Sequence, residues 1–337
     1  VEAAVNLYHG GRDTAEGSLR EALAAVARSN AVKARTDELL HARKAYWDLV
    51  FNHEMASLLE KALARNQRNV AASRRRVERG LTTSTDLVEF ELHGARLEED
   101  LHSHEHEIVL IETALAPLLG HQVGTRYSVA SSSALPVPPA DHPTGASVDV
   151  AAASGQIDVS RAHARLASAW RPSLDIYGGH ALYTLRERDY LDRSERDDTF
   201  GGARVSFPLF DGGQSSLLRA GHQRQAEAFD AQKRHAEQRT LAERVRRVEE
   251  LKHELELIAS SDRQVALGER YLRATLDEYG RGVKNAPDVV NALERVIRLQ
   301  GERAARTRDA WQVRSELLRL DEQVSQARVA SCESRAD

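Results

Sequence analysis

The chain of 337 residues has a single cysteine, few aromatics, little net charge and no long apolar run. That cysteine, Cys332, lies in a polar tail, so an intramolecular disulfide is excluded and both cytoplasm and periplasm stay open as compartments. Aromatics amount to 5% against 29% charged residues. Few rings among many Ala, Leu, Arg and Glu residues is the composition of long helices packed through narrow seams, where side-chain volume must stay small. The net charge of −4 lacks the basic excess that a nucleic-acid partner needs, so none is expected. No stretch reaches the roughly 18 apolar residues of a membrane-spanning helix. This excludes helical spans but not a β-barrel, whose strands alternate apolar and polar residues and escape a hydropathy scan. Also absent are a nucleophile, base and acid set, a phosphate loop and a cysteine-based zinc motif, and Gly10-Gly11 and Gly201-Gly202 are turn glycines. Neither enzymatic activity nor a cofactor is expected.

What is present is a 41% hydrophobic content, enough for a core, and a repeat. Leu7-Tyr8-His9-Gly10-Gly11-Arg12 recurs as Leu209-Phe210-Asp211-Gly212-Gly213-Gln214, an offset of 202 positions. Gly80 falls on Gly282, Asp86 on Asp288 and Val88 on Val290 at the same offset, which predicts helices of equal length in both copies. In each copy a strand ends at the Gly-Gly pair and a helix of about 65 residues follows, on the order of 100 Å long. Leu241, Val245, Val248, Leu251, Leu255 and Ile258 are spaced 4, 3, 3, 4 and 3, the period of a coiled-coil seam. Each long helix is predicted to stop at a glycine after basic residues: Arg74, Arg75, Arg76 and Arg79 precede Gly80, and Arg281 precedes Gly282. Asp86 and Asp288 sit just inside the returning helix, where an acidic side chain suits the positive end of the dipole. Each copy reads as a long antiparallel hairpin.

The first hairpin ends near Leu118-Leu119-Gly120, and His121 to Pro143, with Pro136, Pro138 and Pro139, reads as a linker. A helix from about Ala146 to Trp170 then ends before Pro172, and two strand patterns follow. Leu174, Ile176 and Leu182 share one face of the first; Val205, Phe207 and Leu209 share one face of the second. Between them, Arg186-Glu187-Arg188-Asp189-Tyr190 and the charged stretch to Asp198 read as a loop. Such strands suit a barrel with one lipid face and one wet face. Val1 to Leu7 read as a strand already under way. About 70 residues separate Pro136 from the second Gly-Gly pair and nine precede the first, so repeat arithmetic places roughly 60 to 70 further residues upstream, enough for a helix and two strands. The expected division is a first repeat over 1–135, a second over 136–330 and a polar tail over 331–337.

Strand, Gly-Gly, long helix, glycine turn and return helix, given twice, resembles the TolC-type outer membrane efflux protein family. Phe207-Pro208-Leu209-Phe210-Asp211-Gly212-Gly213 is similar to the family's strand end, and Trp170-Arg171-Pro172-Ser173-Leu174 to the opening of its strands. Ala45-Tyr46-Trp47-Asp48-Leu49 resembles a helix signature, and Glu278-Tyr279-Gly280-Arg281-Gly282 the turn of the second hairpin. The likeness extends to about Gln323. It implies a mainly α fold with a small β part: coiled-coil hairpins forming an α-barrel, and strands contributing to a trimeric transmembrane β-barrel. The function implied is a passive export duct of a tripartite efflux pump or type I secretion system. Such a duct is a homotrimer in outer membrane lipid, extends into the periplasm, and meets a periplasmic adaptor (membrane fusion protein) and an inner membrane pump.

In the family's inner gate a tyrosine and a basic residue on the second hairpin contact a threonine and an aspartate on the first; the matching positions are Tyr279 and Lys284 with Thr85 and Asp86. Lys284 stands where arginine is more familiar, so bidentate pairing is lost. A further acidic position is occupied by Asn291, with Asp288 one turn away. Exposed ion pairs contribute about 0.2 to 1 kcal/mol, so an Asp86–Lys284 pair in three copies would hold a gate by about 1 to 3 kcal/mol. The plainer reading of the same residues is that Asp86 and Asp288 favour helix N-termini and Tyr279 packs a seam. Gly80, Leu81, Thr82, Gly282 and Val283 form the tips and would face the adaptor, whereas the Arg74 to Arg76 run also fits a solvated helix end. In His102-Ser103-His104-Glu105-His106-Glu107, His102 and His106 share a helix face and are weak metal candidates beside a hydrophilic-surface reading. The competing functions are a soluble elongated coiled-coil scaffold and a metal-binding periplasmic protein. The exported substrate, whether drug, metal ion or secreted protein, is not encoded legibly.

Overall fold

The computed structural model describes residues 2–129, 134–139, 147–167, 172–186, 193–207 and 209–322, with side chains omitted at 182–186 and 193–197. Cys332 and the 331–337 tail, Pro143, Trp170, Arg171, Glu187 to Tyr190 and Pro208 lie outside the described residues. Eight elements follow in order: β1 (Glu2–His9), α1 (Arg12–Glu78), α2 (Ser84–Leu118), α3 (Val148–Leu166), β2 (Ser173–Arg186), β3 (Arg193–Ser206), α4 (Gln214–Gly280) and α5 (Ala286–Asp321). The two long helices have 67 residues each and begin 202 positions apart; their return helices have 35 and 36. The chain is mostly helical with one small sheet.

The described residues form two compact units. One comprises residues 2–33 and those described between Ser147 and Arg239; the other holds those described between Ala34 and Pro139 and between Thr240 and Glu322. In the first unit β1, β2 and β3 make an antiparallel sheet in that order. Its register aligns Val5, Ile176 and Ala203 across the three strands, and Tyr8, Leu174 and Val205 in the next row, so these share one face. That face is uncovered among the described residues: Val5, Ile176 and Val205 are 62%, 48% and 56% exposed. The opposite face is the more polar one, with Asn6 donating to Asp175 and the Arg204 guanidinium over the Tyr177 ring at 5.0 Å, though Phe200 also lies on it beside Tyr177. A bulge at Leu7 separates Asn6 from Tyr8.

Three expectations fail at the strands. The charged stretch to Asp198 is not loop: β3 starts at Arg193 and pairs with β2 throughout, Asp197 lying opposite Leu182 and Asp198 opposite Ala181. Ladder bonds use backbone N–H and C=O groups, so a charged sequence can still pair as strand. Phe207 and Leu209 do not extend the Val205 row, since β3 ends at Ser206, and both are exposed. The helix before the strands is shorter than expected, because the Ser147 side chain accepts the Val150 N–H and starts α3 at Val148, and it ends at Leu166. α3 lies close on α1, where a Cβ at Gly155 would meet Val26 Cγ2 at 2.7 Å, and Lys33 pairs with Asp149 at 2.8 Å.

The second unit is built from antiparallel helices with three apolar clusters. Leu49 and Ala56 of α1 meet Ile108 and Leu115 of α2. Leu251 and Ile258 of α4 meet Ala310, Val313 and Leu317 of α5, with Val248 and Leu255 at the margin. The predicted seam therefore holds from Val248 onward but not before, as Leu241 and Val245 are 56% and 49% exposed. The reason is the length of the partner: α5 ends at Asp321, which Arg244 meets at 2.7 Å, and past that point α4 has no α5 to pack on. The His121 to Pro143 stretch is likewise not a bare linker over its first part. Tyr127 and Val129 pack on the α1–α2 cluster, and buried Glu112 accepts the Tyr127 N–H and an Arg126 N–H, both at 2.9 Å.

Candidate functional site at the hairpin ends

The two helical turns are built alike, bond for bond. In the first, Gly80 N–H donates to Val77 O and Leu81 N–H to Arg76 O, both at 2.9 Å; in the second, Gly282 N–H donates to Tyr279 O at 3.0 Å and Val283 N–H to Glu278 O at 2.9 Å. These are the paired bonds that close a helix through a left-handed residue, and Gly80 and Gly282 take φ of 68° and 79°, open to glycine without steric cost. Leu81 and Val283 occupy matching tip positions and are 65% and 72% exposed. On the return side Thr83 accepts the Asp86 N–H, and Asn285 with Asp288 forms a capping box. Asp288 thus does what the plainer reading asked of it, while Thr85 and Asn291 are exposed.

Below the turns the third apolar cluster gathers Phe90 of α2, Leu272 of α4 and Ala286, Val289, Val290, Leu293 and Val296 of α5, with Val70, Leu276 and Tyr279 packed on it. Tyr279 is therefore held at a junction of both hairpins. Phe90 meets its ring edge-on with centroids 5.9 Å apart, the Arg76 guanidinium lies over it at 4.8 Å, and Arg76 Nη1 donates to the Tyr279 carbonyl at 3.3 Å. The Tyr279 hydroxyl is buried and unpaired among the described residues.

Asp86 and Lys284 do not pair within the chain. The Lys284 ammonium lies 3.8 Å from Asp288 of its own turn. One oxygen of Asp86 accepts the Thr82 hydroxyl and the other the backbone N–H of Ala286 at 3.3 Å. A carboxylate with two acceptor sites takes the nearest donors, and a helix N-terminus on the facing hairpin presents one. Phe90 and the His93–Glu294 contact at 3.6 Å are the parts of this region that the sequence did not single out; Arg76 was singled out only within the Arg74 to Arg76 run, as an adaptor-facing or solvated helix end, and not as a partner of Tyr279.

The histidine cluster does not assemble. His102 donates through Nδ1 to its own helix at Glu98 O at 2.7 Å, and His104 turns away to Asn52 at 2.8 Å. His106 is exposed, and no group of three metal-ligating side chains occurs among the described residues. No described helix is long and apolar enough to cross a membrane.

No family model and no curated protein matches the sequence. Solved structures do match. The outer-membrane channel OprN aligns over 95% of this chain and 74% of its own, with TM-score 0.77 and 17% identity. VceC, an outer membrane protein of Vibrio cholerae, aligns over 96% and 79%, with TM-score 0.75 and 18% identity. The open state of the MtrE outer membrane channel of Neisseria gonorrhoeae aligns over 94% and 74%, with TM-score 0.72 and 16% identity. With its 67-residue helices, twinned glycine turns and small antiparallel sheet, the chain has the fold of the TolC-type outer-membrane efflux channels.

Proposed function

We propose that the chain is one protomer of a trimeric outer-membrane efflux channel, a passive duct and not an enzyme, gated at its hairpin ends. The observation that carries this reading is the sheet: one face apolar and uncovered, the other more polar, and β1 and β3 each with an edge left unpaired among the described residues. In water such a sheet invites aggregation, whereas a barrel closed by further strands satisfies both edges and gives the apolar face to lipid. This also favours the channel over a soluble scaffold, which has no use for a lipid face. The equal helix lengths and matching turns support an internal duplication, with its halves at 1–135 and 136–330. The hairpins of three copies would form the α-barrel in the periplasm. Leu81 and Val283, with Gly80, Thr82 and Gly282, offer apolar tips to a periplasmic adaptor that links the duct to an inner membrane pump, and the pump sets the substrate. Tyr279, Thr85, Asp86, Lys284, Asp288 and Asn291 line the hairpin ends as the gate. The test is single-channel conductance of the full chain in planar bilayers, with Asp86→Ala beside the parent. Small parent currents that rise severalfold in the variant are expected. No current from well-inserted protein overturns the channel; a large parent current that ignores the substitution overturns the gate.

A further inference from the structure

We infer that the first hairpin clasps the turn of the second by capping both of its helix ends, Arg76 at the end of α4 and Asp86 at the start of α5, and that Arg76 is the unrecognised half of the gate. The inference rests on the reading of the hairpin ends as the closing point of a channel.

The accounting of backbone groups leads to it. At the start of α5, Pro287 has no N–H, the Asp288 N–H goes to the Asn285 side chain at 3.2 Å, and the Val289 N–H goes to Asn285 O at 3.4 Å. Ala286, fully buried, keeps the one N–H of this turn that its own hairpin leaves over, and Asp86 Oδ1 of the other hairpin accepts it at 3.3 Å. At the end of α4, Tyr279 O accepts Gly282 N–H and has a second lone pair, which Arg76 Nη1 takes at 3.3 Å. The signs match the helix dipoles: a carboxylate meets the positive end of α5, a guanidinium the negative end of α4. The cation–π contact with the Tyr279 ring helps hold the guanidinium in place, and the Thr82 hydroxyl donates to the carboxylate. Lys284 takes no part, being engaged with Asp288. The clasp therefore needs hydrogen-bond acceptance from Asp86 more than its charge, and planarity from Arg76 as well as its charge.

That distinction is testable by substitution. Hydrogen exchange of peptides spanning Asp277 to Val290 is measured by mass spectrometry on the detergent-solubilised full chain, with conductance alongside. Arg76→Gln and Asp86→Ala are expected to speed exchange there by about tenfold, while protection over Leu97 to Leu115 persists and marks the change as local. Asp86→Asn, whose amide oxygen still accepts the Ala286 N–H, is expected to give less than a third of the Asp86→Ala effect on both readouts. Equal effects of Asp86→Asn and Asp86→Ala would show that the charge of Asp86 and not its acceptance of the Ala286 N–H acts here, and would overturn the clasp. Unchanged exchange in Arg76→Gln would remove Arg76 from it. Should neither parent nor variants conduct, the channel reading fails, and exchange alone still decides whether the clasp exists.

Discussion

His93 of α2 is 2% exposed, with Glu294 of α5 3.6 Å from its Nδ1. Burial pushes its pKa below the ordinary 6.5, and the pull of Glu294 the other way does not compensate. His104 shifts down for the same reason, opposed by Asp100 and Glu107. The sign follows from linkage. Above about pH 6.5 both folded and unfolded chains hold these rings neutral; below it the unfolded chain takes up protons that the folded chain refuses. Their contribution to stability is full above the unfolded pKa and is lost as pH falls toward the folded one. Melting temperature is therefore expected to drop between about pH 7.5 and 5.5, and His93→Gln to make that drop shallower. An identical pH profile in the variant would contradict the burial account. None of this was visible along the chain, where His93 is one histidine among 14; what makes it sensitive is the helix folded over it.

Where α1 runs beside α5, charged and aromatic partners meet in antiparallel order. Arg319 pairs with Asp37 at 2.8 Å, Lys44 with Glu316, and Gln312 donates to Asp48 at 2.9 Å. Trp47 and Trp311 stack between them with centroids 4.3 Å apart and planes 11° apart. Stacked rings couple by about 0.5 to 1.5 kcal/mol beyond their buried area, so a double-mutant cycle of Trp47→Leu and Trp311→Leu in denaturant unfolding is expected to show a coupling of that size. Additive single effects would show that the stack contributes area alone. Sequence periodicity located this packing only in part. Heptad spacing picked out Val248 to Ile258 correctly because a seam leaves its period on the helix that makes it. It extended the seam to Leu241 because the period says nothing of where a partner stops, and α5 stops at Asp321.

For the molecule as a whole, the decisive feature is the uncovered apolar sheet face. Ile176→Lys places a charge in its centre row, and a cost of about 2 to 4 kcal/mol is expected if that row meets the bilayer midplane. The expected outcome is a loss of membrane-inserted protein, read by flotation with lipid vesicles, while Arg204→Lys on the other face is expected to leave insertion as it was. Equal insertion of the two variants would refute the assignment of faces. Much of this architecture was legible in the residues themselves. The repeat of Gly-Gly, Gly and Asp at one offset dictated helix lengths, because each mark acts locally: a glycine reaches a positive φ, an acid favours a helix start. The alternation of Leu174, Ile176 and Val205 dictated a two-faced sheet for the same reason. What the tertiary structure alone decided is which groups meet across elements. Asp86 was marked as a helix-start residue and as a partner for Lys284, yet it accepts the Ala286 N–H of the facing hairpin, while Arg76 closes on Tyr279. A polar side chain carries its bonding capacity in the sequence, but its partner is whichever donor or acceptor the packed helices leave unsatisfied within reach.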